Sequence, residues 1–289
     1  DPAFLADDRD ASRLLAGVKQ TLAILRQPAL DGVRGACVFG EEEAVDDAAL
    51  QAELAAAVET AAAAMSDTAD WLEDQRATAT QDFALGAELF ARMLEATEAV
   101  NVPLDELEAI GRADLARNRA ALESACSEFA PGATLGECMV RMDASKSPLG
   151  PVEEARAQLP ALKQFLVDME LVSIPGTEEA LVEEAPPYNR QNSAYIDIPG
   201  PYETGMPSVY YIAPPDPSWT PEEQAAYIPG SKNLLFASAH EVWPGHFLNF
   251  LHANRARSPF GRIFVGYAYA EGWAHYGEEL IVEAGFEGG

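Results

Sequence analysis

Over residues 8–185 apolar positions recur at helical spacing. Leu14, Leu15, Val18, Leu22, Ile24 and Leu25 form a stripe close to the 3.6-residue period. From Asp46 to Gln75 the chain is rich in Ala, the best helix former, and opens on Asp. Phe83, Leu85, Leu89, Phe90 and Leu94 make the next stripe. Pro103-Leu104-Asp105-Glu106, with Pro and acids in a first turn, opens a helix through Leu107, Ile110, Leu115, Leu122 and Phe129. Gly150-Pro151 punctuates, and Leu159, Leu162, Phe165 and Leu166 belong to the helix that follows. The spacing predicts helix after helix, without a repeat that would mark a solenoid.

Residues 186–218 carry eight of the twenty prolines, and helices cannot persist there. Ser208-Val209-Tyr210-Tyr211-Ile212, β-branched and aromatic, is the best strand. Thr220-Pro221-Glu222-Glu223 restarts helix with a capping box. Two closing helices are expected at roughly 231–256 and 259–284, with Ser258-Pro259 capping the second. The expected fold is mainly α: a helical body at 1–185, a small Pro-rich β or irregular insert and short helix at 186–230, and a helical hairpin at 231–289. The three parts read as one continuous structural domain. It is expected to be incomplete at both ends, because Asp1 is not an initiator Met and the last residues follow directly on a helical pattern.

Composition narrows the function. The 289 residues hold 47 acids and 19 bases, a formal net charge of −28, with 48% hydrophobic residues. That is a globular chain with enough length for a sizeable core. Its acidity argues against nucleic acid and anionic lipid as partners. No apolar run reaches the ~18 residues of a membrane helix. The closing hairpin is nearly balanced, with 6 acids and 4 bases over 231–289, so the acid belongs to the body. Cys37, Cys126 and Cys138 make neither a disulfide framework nor a metal knuckle. They permit either a Cys126–Cys138 bridge or three buried thiols. Compartment stays open between cytoplasm and an extracytoplasmic site.

All four histidines, His240, His246, His252 and His275, fall in the closing hairpin. His240-Glu241 on a helix, with His246 shortly after, suggests a zinc hydrolase: imidazoles hold Zn²⁺ and the adjacent Glu deprotonates the bound water. The usual spacing of such histidines is one turn, and here it is six residues. On an unbroken helix that separates them by about 9 Å along the axis and about 120° around it. Pro244-Gly245 lies between them, however. Pro244 lacks the N–H for the carbonyl of His240, and Gly245 tolerates a bulge. The helix is expected to break there and bring both rings to one ion.

Counting from a turn near Ser258 places Glu271 level with His246 in an antiparallel hairpin. Glu271 lies in an apolar, aromatic stretch, where a carboxylate is costly unless it is paired or metal-bound. Gly272 beside it suggests close approach by another element. His275 and Glu278 share a helix face with Glu271 and serve as supporting groups or transition-state donors. Simpler readings exist: Glu271 as a core carboxylate paired with Arg255, Arg257 or Arg262, His252 and His275 as packing or surface residues, and Glu41-Glu42-Glu43 and Glu183-Glu184 as solvated surface. Tyr210 and Tyr211 fit strand packing. Their strand also offers a place where a peptide substrate adds by β-augmentation.

These motifs, His240-Glu241-x-x-Pro244-Gly245-His246 and Glu271-Gly272-Trp273-Ala274-x-Tyr276, resemble a bacterial family, the domain of unknown function 885. The Pro-rich Tyr-Tyr segment at 200–215 and Asp105-Glu106-Leu107-x-x-Ile110-Gly111 are similar as well. The resemblance covers most of the chain. It implies a mainly α, zinc-peptidase-like fold with His240, His246 and Glu271 as ligands to one Zn²⁺ and Glu241 as base. It also implies that this chain is a truncated portion, since members are about twice as long.

The expected function is therefore a zinc-dependent peptidase-like hydrolase of peptide substrates. His275 would assist catalysis, and Tyr210 and Tyr211 would contact substrate. Alternatives are a truncated, non-catalytic metal- or peptide-binding helical domain, and a metal-dependent hydrolase of non-peptide amides or esters.

Overall fold

The structure is a computed structural model that describes residues 47–80 and 82–286. The stripe at Leu14–Leu25, Cys37 and the acids at 41–43 lie outside the described residues. Among these residues the fold is mainly helical with one three-stranded sheet. The chain divides into two compact units.

The first unit, residues 1–84 with 186–188, contains helix α1 (Asp47–Gln75), the Ala-rich segment. A turn at Arg76–Thr78 ends it, with Arg76 paired to Glu73 at 2.7 Å.

The second unit, residues 85–185 with 189–289, begins with α2 (Gly86–Glu98), α3 (Leu104–Phe129) and α4 (Leu135–Asp143). Phe83 and Leu85 precede α2 rather than joining its stripe. On α3 the predicted stripe is a surface feature: Ile110, Leu115, Leu122 and Phe129 are all exposed. The end of α3 is fixed to α4 by a Cys126–Cys138 disulfide, around which Ala130, Ala133 and Leu135 pack.

Helix α5 (Pro151–Asp168) starts where expected: Gly150 takes a φ of 81°, open to glycine, and Pro151 occupies the first turn. Its buried stripe is Ala155, Leu159, Leu162 and Leu166.

Next comes the sheet, and here the helical reading of residues up to 185 is corrected. Ala180–Glu184 is strand β1, and Ala194–Asp197 and Ser208–Ile212 are β2 and β3. The order is β1-β3-β2, with β1 parallel and β2 antiparallel to β3. Ala, Leu and Glu in β1 favour helix locally, and parallel pairing of Val182 with Tyr210 overrides that preference. β3 is central and buried on both faces, which explains its unbroken apolar run. Tyr210 and Ile212 enter the main core, while Val209, Tyr211 and Ala213 pack on the opposite face.

Thr220 and Glu223 form the expected capping box of α6 (Pro221–Tyr227). The two closing helices are in fact four: α7 (Ser231–Glu241), α8 (His246–Ala253), the short α9 (Pro259–Ile263) and α10 (Tyr267–Glu283). Ser258 caps α9, accepting from the Gly261 N–H at 3.0 Å, instead of opening one long helix. Glu98 accepts from the N–H groups of Tyr267 and Ala268, both at 3.1 Å, and so seats the start of α10.

Helix α7 carries His240 and Glu241 and is anchored twice. Asp143 accepts from Gly230 N at 2.7 Å and Asn233 Nδ2 at 2.9 Å. Gln158 on α5 bridges both ends of α7, donating to Ser231 O and accepting from Ser238 Oγ, each at 3.1 Å. The main core joins α5, the sheet, α7 and α8 around fully buried Trp243 and Phe247. None of the helices is long and apolar enough to cross a membrane, among the described residues.

Candidate metal centre

The chain leaves helical geometry directly after Glu241, at Val242 (φ −123°, ψ −73°). Residues 242–245 form a compact kink, with Gly245 N donating to Ala239 O at 2.9 Å. Helix then resumes at His246. The two residues expected to break the helix do so. Pro244 follows a cis peptide from Trp243. Gly245 presses so closely on the preceding turn that a Cβ would stand 1.6 Å from His240 O. No other residue fits there.

Helix α10 lies against this kink. Trp273 Nε1 donates to Pro244 O at 2.8 Å. The close-approach glycine is Gly277, where a Cβ would come within 3.1 Å of Pro244 Cγ. Gly272, for which close approach was expected, has nothing within 4 Å of such a Cβ. Gly272 is exposed, so that reading is corrected.

The kink brings the predicted ligands together. His240 Nε2 and His246 Nε2 each stand 3.6 Å from Glu271 Oε2, and one ligand atom from each of the three lies within 4.8 Å of the others. Tetrahedral zinc with bonds of about 2.0–2.1 Å needs ligand atoms about 3.3 Å apart. A small contraction of the triad would provide that spacing, and two imidazoles with a carboxylate are zinc donors by type. The imidazole side chains are 18% and 13% exposed, whereas that of Glu271 is 44% exposed. Glu271 is thus less buried than its apolar sequence neighbours suggested, and it marks the open side of the site. Two of its three sequence alternatives are engaged elsewhere: Arg255 pairs with Glu178, and Arg262 donates to Ala256 O.

Behind the triad, His240 Nδ1 lies 2.7 Å from Glu278 Oε1. That contact makes Nδ1–H the donor and leaves the Nε2 lone pair facing the triad. It also raises the His240 pKa, against the lowering effect of burial. His275 Nδ1 is 3.2 Å from the same Glu278 oxygen, and its side chain is 73% exposed. His275, Glu278 and His240 form a second, more open group able to hold a cation. His275 is outside the first triad.

His246 is held below the ordinary imidazole value by burial and by His240, which favours the neutral ring. Glu241 is pushed up to about 7, chiefly by burial and further by Glu271, while His240 and the Ile196 N–H act in the opposite direction. A carboxyl poised near neutrality is suited to proton transfer.

Tyr210 and Tyr211 do not form a substrate surface. They are 0% and 4% exposed, and β3 has both edges filled by β1 and β2. Burial holds the Tyr210 phenol above its ordinary range, and its hydroxyl lies near Ser238 without a hydrogen bond of normal geometry. The substrate-binding expectation for this pair is corrected on that ground. His252 has a partner that the sequence did not show, the carbonyl of Ser173 at 2.8 Å.

No curated protein matches the chain. Its fold is similar to that of a candidate lipoprotein of unknown function from Shewanella oneidensis (TM-score 0.63, 18% identity), over 99% of this chain and 55% of that one. It is also similar to a candidate lipoprotein from Colwellia psychrerythraea (TM-score 0.52, 20% identity), over 70% of this chain and 35% of that one. The chain therefore spans 55% or less of the length of these solved structures. Residues 7–288 match the profile of a bacterial family of unknown function, DUF885, and the chain belongs to that family.

Proposed function

We propose that the protein is a zinc-dependent, peptidase-like hydrolase with a zinc-peptidase-like arrangement of helices. The observation that carries this reading is the meeting of His240 Nε2, His246 Nε2 and Glu271 Oε2, with Glu278 behind His240. When bound there, Zn²⁺ supplies Lewis acidity and lowers the pKa of a coordinated water to about 7. Glu241 takes a proton from the attacking water and delivers it to the leaving amine. Glu278 keeps His240 in one tautomer and orientation. His275, exposed beside Glu278, would donate to a substrate oxygen.

Zinc analysis of purified protein together with peptide hydrolysis by wild type and Glu241→Gln tests the reading. One zinc per chain, with turnover that drops at least about 100-fold in Glu241→Gln, supports it. Zinc without peptide turnover favours a metal-binding domain or a hydrolase of non-peptide esters and amides.

A further inference from the structure

A cleft of about 440 Å³ opens between α8 and α10 beside the residue 172–173 segment. Leu248, Asn249 and Ala253 line it from α8, Tyr269 and Trp273 from α10, and Val172 from the segment. Its size suits a small ligand or one large side chain. It shares both helices with the candidate metal triad: Asn249 is one turn beyond His246 on α8, and Trp273 is two residues beyond Glu271 on α10. Trp273 also fastens the kink through Pro244 O.

The chemistry of the lining is selective. Tyr269 and Trp273, four residues apart on α10, present two rings on one face. Among the described residues no acidic, Lys or Arg side chain lines the cleft, and His252 at its margin is already bonded to Ser173 O. One polar group is unspent: Asn249 Nδ2 is buried and has no hydrogen-bond partner. An unsatisfied buried donor is costly and calls for an acceptor.

We infer that this cleft receives a neutral aromatic or large apolar residue of the peptide substrate, whose carbonyl oxygen accepts from Asn249 Nδ2. Its role as a substrate subsite rests on the peptidase reading, while its binding chemistry does not need the metal. A charged side chain would lose hydration against Leu248 and Val172 without gaining a partner. A small one would leave both rings uncovered.

The test is ligand-observed NMR on the full chain stripped of metal with EDTA, titrated with N-acetyl-L-phenylalaninamide, the alaninamide and the aspartic acid amide. The phenylalanine probe is expected to bind about 10-fold or more tightly than either of the others. Asn249→Leu should weaken it about 3- to 10-fold. Ala253→Phe, which fills the cleft, should abolish the preference, and Tyr269→Ser, at a ring 65% exposed and so harmless to folding, should reduce it. Equal binding of the three probes, or a preference that survives Tyr269→Ser and Asn249→Leu, overturns the inference. Because no metal is present, a failed zinc assay leaves this result readable. A zinc-loaded, active protein that shows no preference sinks the cleft alone.

Discussion

His240 Nδ1 and Glu278 Oε1 are 2.7 Å apart, although 38 residues separate them in the chain. The contact couples α10 to α7 and decides which imidazole nitrogen faces His246 and Glu271. Substituting Glu278→Gln keeps the shape and weakens the hold on the ring. Zinc affinity is expected to fall about 10- to 100-fold, with little change in the melting temperature of the metal-free protein. Competition with a chromogenic chelator measures it.

Gly245 and Gly272 should respond in opposite ways. A methyl group at Gly245 meets His240 O at 1.6 Å, so Gly245→Ala must displace the kink. A loss of about 3 kcal/mol or more is expected, together with loss of zinc binding. Gly272→Ala meets nothing in an exposed mid-helix position, and a gain of up to about 1 kcal/mol is expected. Thermal and urea unfolding of both variants checks the pair.

Acid–base behaviour of the metal-free protein should report Glu241. Burial raises its carboxyl to about 7 from an ordinary 4.5, so the fold favours the protonated form. That contribution is whole below the unfolded-chain value and is lost as pH rises through about 7, by at most about 3 kcal/mol. In EDTA, wild type should lose stability relative to Glu241→Gln between about pH 5 and about pH 8. Parallel urea titrations across that range measure the difference.

The Cys126–Cys138 bond ties α3 to α4 across 12 residues. Cys126→Ser is expected to cost about 3 kcal/mol from loop entropy. The candidate metal site lies on other helices, so zinc stoichiometry should be unchanged. Unfolding curves with and without reductant give the first quantity, and metal analysis gives the second.

Much of the site was legible because its chemistry is concentrated. His240, Glu241, Pro244, Gly245 and His246 fall within seven residues, and the odd histidine spacing and the helix breakers explain each other. Glu271 was found by counting out from a turn near Ser258. The structure reaches the same pairing by a different path, with a short helix at Pro259–Ile263 and a further break at 264–266 before α10. Other features depend on partners that local sequence does not show. β1 reads as helix until its pairing with β3 is known. The crowding of Gly277 comes from Pro244, 33 residues away, while Gly272 drew attention only by adjacency to Glu271. Tyr210 and Tyr211 looked available because a strand pattern does not reveal that both edges of β3 are taken.

Metal content most directly tests the central claim that His240, His246 and Glu271 form one zinc site. Purified protein, dialysed against a weak chelator, should retain one zinc per chain by plasma emission spectrometry, and folded His246→Ala and Glu271→Ala should retain almost none. Stoichiometric zinc that persists in both variants, or wild-type protein that takes up no zinc when it is supplied, would contradict it.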